Sequence, residues 1–115
     1  MSDARRPKRV GEVIHATLCR LLTEHIEDPA LRNVTITEVR VNADLRGAKV
    51  FWLGPKGSSK SVVAGFRRAS GLIRRHLGEE LKLRYVPVLA YIEDCHAEQV
   101  EHLMGVFEEI KNANE

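Results

Sequence analysis

Between Lys60 and Gly78 the sequence carries four arginines, Arg67, Arg68, Arg74 and Arg75, as two adjacent pairs. The chemistry open to such residues is anion recognition. A guanidinium presents a planar fork of N–H donors that matches two phosphate oxygens. On a helical wheel at 100° per residue with Phe66 at zero, Val62, Ala69, Ile73 and Leu77 fall within about 60° and form a stripe to be buried. The arginines and Lys60 occupy an arc from about 80° to 200°, and Gly71 and Gly78 share that arc. Glycine inside a helix costs about 1 kcal/mol relative to alanine, so two of them among four arginines call for a reason. Bare backbone on a cationic face lets a phosphate come close. Gly71 also permits a break, and a helix starting there would aim its first amides at an anion. Ala69, Ser70 and Gly71 are therefore expected to form a kink, with Ser70 and Gly71 on the contact surface.

Two further basic groups join this segment. Arg5, Arg6, Lys8 and Arg9 read as a flexible basic arm over residues 1–8, running up to the first helix, and Lys82 and Arg84 flank the start of the last strand. The aromatic residues are few: Phe51, Trp52, Phe66, Tyr85, Tyr91 and Phe107. Few bases can be stacked on so few rings, so binding should be dominated by backbone charge and fall steeply with salt. The net charge of +2 hides an asymmetry. Residues 1–92 hold 17 Lys/Arg against 9 Asp/Glu, whereas residues 93–115 hold 1 against 7. A basic body can face a polyanion while the acidic C-terminal segment points elsewhere.

Other chemistry finds no constellation. His15 and His25 belong to the first helix, His76 to the arginine-bearing segment, and His96 and His102 stand six apart, a poor spacing for a metal pair. Glu79-Glu80 and Glu108-Glu109 are neighbours that point different ways on a helix. Gly54-Pro55-Lys56-Gly57-Ser58-Ser59-Lys60-Ser61 lacks the spacing of a nucleotide phosphate loop. No catalytic residue, metal ligand or cofactor is expected. Cys19 and Cys95 are two lone thiols behind an N-terminus with no export signal, which reads as a reduced, cytoplasmic protein.

The elements that must position these residues follow from periodicity. Val10, Val13, Ile14, Thr17, Leu18, Leu21, Leu22 and Ile26 mark an amphipathic helix over 9–27, stopped by Asp28-Pro29. Val34–Val41 is β-branched and strand-like, but its alternation slips, which predicts a bulge near Thr37-Glu38. A turn at 42–47 leads into a second strand, Ala48–Leu53, and so into an antiparallel hairpin. Residues 61–81 are helical, Leu83–Ile92 is a third strand limited by Pro87, and Val100, Leu103, Met104, Phe107 and Ile110 mark a last amphipathic helix. The expected fold is α+β, in the order α-β-β-α-(kink)-α-β-α, with helices packed on a three-stranded sheet. The 115 residues, 43% hydrophobic and 30% charged, suit one soluble domain with a short polar end at 112–115. No stretch approaches membrane-spanning length.

Arg6-Pro7-Lys8-Arg9-Val10, Asp28-Pro29 with Leu31, Ile36–Leu45 with Ala48-Lys49-Val50, Ala69–Arg74 with Leu77-Gly78, and Leu83–Leu89 occur in that order. Together they resemble the ribosome-binding factor A family over about residues 6–111. The resemblance implies a type II K-homology-like domain in which an Ala-x-Gly kink, here Ala69-Ser70-Gly71, replaces the usual Gly-x-x-Gly loop. It also implies a non-enzymatic partner of the maturing small ribosomal subunit and its rRNA, acting in late maturation, 5′-end processing and cold adaptation. Neither a membrane nor a small-molecule substrate is implied, and nothing demands more than a monomer. Ala30 stands where relatives usually carry an Arg, and Asp94-Cys95-His96 replaces an Asp-x-Ser turn. The alternative is a protein-interaction module working through the acidic last helix or the first helix.

Overall fold

The computed structural model describes residues 5–94. The apolar stripe between Val10 and Leu21 forms one face of helix α1, Arg5–Glu24, with Val10, Ile14, Leu18 and Leu21 buried. The helix starts earlier than its stripe. Pro7 lies in the first turn, where an N–H would have no intrahelical acceptor, so the ring interrupts nothing. The residues read as a flexible arm from Arg5 onward are thus helical, and Arg5, Arg6, Lys8 and Arg9 stand in the opening turns. At its far end α1 stops at Glu24, short of the expected 27, and His25 lies in the turn that follows. Beyond it the Asp28 carboxylate accepts the Ala30 N–H and caps a single 3-10 turn, Pro29–Leu31.

Strands β1, Thr35–Val41, and β2, Gly47–Leu53, pair antiparallel. The slipped alternation of β1 has the expected cause: the register shifts between Ile36 and Glu38, leaving Thr37 as the extra residue. The bulge returns Val39 and Val41 to the face shared by Ile36, opposite Val50 and Ala48, while Ile36 meets Trp52. The Thr37 hydroxyl, freed from the ladder, lies within bonding distance of the Phe51 carbonyl and the Asp94 carboxylate.

Strand β3 spans Val88–Glu93 and lies parallel to β2, giving the order β1-β2-β3. It is shorter than the stretch Leu83–Ile92 suggested. Pro87 cannot donate to a ladder, and pairing begins only after it, with the Val88 N–H on the Arg46 carbonyl. A parallel return needs a crossover. Helices α2, Ser59–Arg68, and α3, Ser70–Glu80, supply it.

One face of the sheet carries the core: Ile36, Ala48, Val50 and Trp52 are buried there, against Ile14, Leu18, Val62, Phe66, Ile73 and Leu77 from the helices. The other face shows Arg40, Lys49, Val88 and Ala90 exposed. Helix α1 sits close to β1 because Gly11 has no side chain; a Cβ there would lie 3.1 Å from the Val39 carbonyl oxygen. The fold is α+β, with three α-helices and a three-stranded sheet among the described residues. The expected C-terminal helix lies outside the described residues.

Candidate nucleic-acid interface

The break in the arginine-bearing segment falls at Ala69, two residues before the glycine that suggested it. Ala69, at φ −85° and ψ −1°, ends α2 and precedes α3. A helical residue has ψ near −42°, so a rotation of about 40° at one residue makes the bend, and any L-residue can adopt it. Gly71 is not needed for the kink. It sits in the first turn of α3, where a Cβ would meet nothing within 4 Å. No side chain of the described residues caps that helix start, and the leading amides of a helix favour an anion. What Gly71 provides is open backbone.

The kink faces β3, an edge strand of the sheet among the described residues. Arg67 and Ser70 line a depression of about 300 Å³ with Val63, Phe66, Leu89 and Tyr91. Ser70 and Arg74 line an adjoining hollow of about 100 Å³ with Ile73, Leu77, Val86, Pro87, Val88, Leu89 and Tyr91. The two meet at Ser70, Leu89 and Tyr91, so a groove runs between the helix break and the sheet edge. Tyr91 stacks on Phe66 with ring centroids 4.1 Å apart and planes 7° from parallel. Burial pushes its hydroxyl pKa up to about 12, which keeps the group protonated and able to donate. Sequence reading singled out neither Leu89 nor Tyr91 for this role. Their alternation into the core, opposite Ala48 and Val50, was the available signal.

The four arginines divide. Arg67 and Arg74 are exposed at the groove. Arg75 is exposed but lines neither depression, as is Lys60 near the start of α2. Arg68 is committed elsewhere: its Nε and Nη2 donate to the two carboxylate oxygens of Asp28 at 2.8 and 3.1 Å. Asp28 therefore does more than cap the 3-10 turn. It ties the C-terminal end of α2 to the turn after α1, across 40 residues, and so fixes the angle at which the kink is presented. The Arg68 bond, then the Ala30 amide, hold the Asp28 carboxyl below its ordinary value. Such a group contributes stability that is present above its unfolded pKa, roughly 4, and is lost as pH falls through its folded pKa. Asp28→Asn should therefore be less stable than the parent at pH 7. In urea unfolding followed from pH 7 down to pH 2, the gap should shrink below about pH 4 and close once Asp28 is protonated.

The second basic group is also brought together, though not at the kink. Arg5, Arg6 and Arg9 of α1 and Lys82 after α3 line a cleft of about 510 Å³ with Val10, Val13, Glu80, Leu81 and Leu83. Lys8 is not among its lining residues, and the Arg84 guanidinium lies 5.6 Å over the Tyr85 ring instead. Among the described residues there is no group of three or more His, Cys, Asp or Glu that could hold a metal. The His15 ring bonds the Ile36 carbonyl at 2.9 Å, which fixes α1 to β1. Partial burial pushes the Cys19 thiol pKa up, the opposite of what a nucleophile requires. No helix among the described residues is long and apolar enough to cross a membrane.

Known proteins share both the sequence pattern and the fold. Residues 6–107 match the family model described as ribosome-binding factor A. The ribosome-binding factor A of Gemmatimonas aurantiaca is 36% identical over 121 aligned residues, covering all of this chain and 83% of the relative. That of Citrifermentans bemidjiense is 34% identical, covering 92% and 91%. The crystal structure of ribosome-binding factor A from Thermus thermophilus superimposes with a TM-score of 0.66 at 20% identity, over 76% of this chain and 94% of that one. At that identity the structural likeness speaks for the fold alone.

Proposed function

This chain belongs to the ribosome-binding factor A family, and from that premise we propose that it binds the immature small ribosomal subunit in the cytoplasm, as a monomer. There it assists late maturation and 5′-end processing of the rRNA, without catalysing a reaction. The observation that carries this reading is the groove at the kink. Arg67, Ser70 and Arg74 stand along one lip, the open backbone of Gly71 beside them, and an edge strand forms the other lip.

Each part has a job in holding RNA. Arg67 and Arg74 pair with phosphates, and Ser70 and the first amides of α3 can donate to a phosphate brought close at Gly71. Arg68 acts indirectly by bracing the kink through Asp28. Arg75, Lys60 and Arg84 add to the long-range field that draws in a polyanion. Tyr91 stays packed on Phe66 and shapes the wall. With one half-buried ring at the groove, affinity rests on charge and shape rather than base stacking.

Sedimentation through sucrose gradients tests the assignment. The protein should travel with free small subunits, be released as salt rises, and be absent from translating ribosomes. Equal occupancy of translating ribosomes, or binding that ignores salt, would remove the proposal.

A further inference from the structure

The cleft at the opposite end of α3 is chemically unlike the groove at the kink. Helix α3 has 11 residues, so its two ends stand roughly 15 Å apart at 1.5 Å per residue. The cleft has an apolar floor, with Val10 and Leu81 buried and Val13 and Leu83 half-buried. Its rim holds Arg5, Arg6, Arg9 and Lys82, brought from two parts of the chain. Among the described residues Glu80 is the one carboxylate in the lining, and it accepts a bond from Arg20 at 3.3 Å.

The placement of Arg6 and Arg9 near the start of α1 is unfavourable for the helix itself. The first turn of that helix contains no acidic residue, and cations at a helix N-terminus oppose its dipole. Cationic side chains gathered there repel one another and the helix end. An anion seated among them relieves both repulsions.

We propose that this cleft is a second RNA site, one that takes a single-stranded nucleotide with its base on the Val10, Val13 and Leu83 floor and its phosphate on the Arg6, Arg9 and Lys82 rim. The floor decides between strand types. A duplex turns its base faces inward, so it could use the rim alone, whereas an unpaired base offers a flat apolar face. The proposal rests on the chain being an RNA-binding protein, and it adds a distinct strand type at a distinct place. The chain would then bridge two RNA segments, a backbone at the kink and an unpaired strand at the far end of α3.

The test is the double variant Arg6→Glu, Arg9→Glu in the full chain. Carboxylates suit the start of α1, so the variant should melt no lower than the parent. Binding of a single-stranded oligouridine of six nucleotides should fall about tenfold or more, the scale expected for losing two phosphate contacts. Binding of a short RNA duplex should change less than about threefold, and Arg67→Glu, Arg74→Glu should show the reverse preference. If the α1 variant binds the oligouridine as the parent does, or loses duplex and single strand equally, the cleft is not this site. Loss confined to the kink variant overturns the cleft and leaves the proposed function standing. Unchanged binding in both variants overturns the proposed function as well.

Discussion

Replacing Arg67 and Arg74 together by glutamate should lower affinity for small-subunit rRNA roughly a hundredfold while the protein stays folded. Both side chains are exposed, and neither belongs to the core or to a described ion pair. In the proposed function each neutralises one phosphate, so the slope of log affinity against log salt should become shallower by about 2. Reversal adds repulsion to the lost contact. The structural cost is small. Arg67 lies in the last turn of α2, where a cation complements the dipole, so a glutamate there costs on the order of 1 kcal/mol or less. Gly71→Leu is the companion change. A Cβ at that position meets nothing within 4 Å in the free protein, and leucine favours a helix more than glycine does. Stability should hold or rise, yet binding should weaken because a phosphate can no longer reach the backbone. Filter binding at several salt concentrations, with thermal unfolding beside it, reads both effects. Full affinity in the folded double variant would contradict the assignment of the groove.

The largest stability loss from one small residue should come at Gly65. It is buried in α2 against the 3-10 turn, and a Cβ there would lie 2.9 Å from Leu31 Cγ, 3.1 Å from its Cδ2 and 3.2 Å from Ala30 Cβ. Leu31 is itself only 2% exposed, and its Cγ is the branch point of the side chain rather than a free end. It has nowhere to retreat. Gly65→Val should therefore cost about 2–3 kcal/mol, in the upper range for overpacking, and lower the melting temperature by roughly 10 °C or more. Trp52, the single tryptophan and fully buried, reports the transition by fluorescence. The change also reaches the site. Separating α2 from the turn at Pro29–Leu31 pulls Arg68 from Asp28, so the surviving folded fraction should bind RNA less tightly than the parent. A variant that melts within about 2 °C of the parent would show that α2 can slide away from Leu31 at little cost.

Local features of this fold were legible in the sequence, and long-range ones were not. The slip between Val34, Ile36 and Val39, Val41 foretold the bulge, because alternation has a period of two and only an extra residue restores it. The stripe through Phe66, Ile73 and Leu77 foretold which side of the segment is buried. The start of α1 was hidden because cations and a proline near a helix start look like an arm, and packing outweighs that local preference. Leu83–Val86 looks like strand by composition, yet it has no ladder partner before Pro87. The bond between Asp28 and Arg68 has no spacing signal at all, since 40 residues and a β-hairpin separate them. Among the site residues, the arginine arc was visible, but its division into groove arginines, a bracing arginine and outlying charges depends on where β3 sits. That position is a tertiary fact.

Amide hydrogen exchange, on the free protein and on the protein bound to free small subunits, measures the interface without altering a side chain. Binding at the groove predicts slowed exchange at Ser70, Gly71 and Leu72 and along Val88–Tyr91. Slowing confined to the β1–β2 hairpin, with the kink and β3 exchanging as in the free protein, would contradict it.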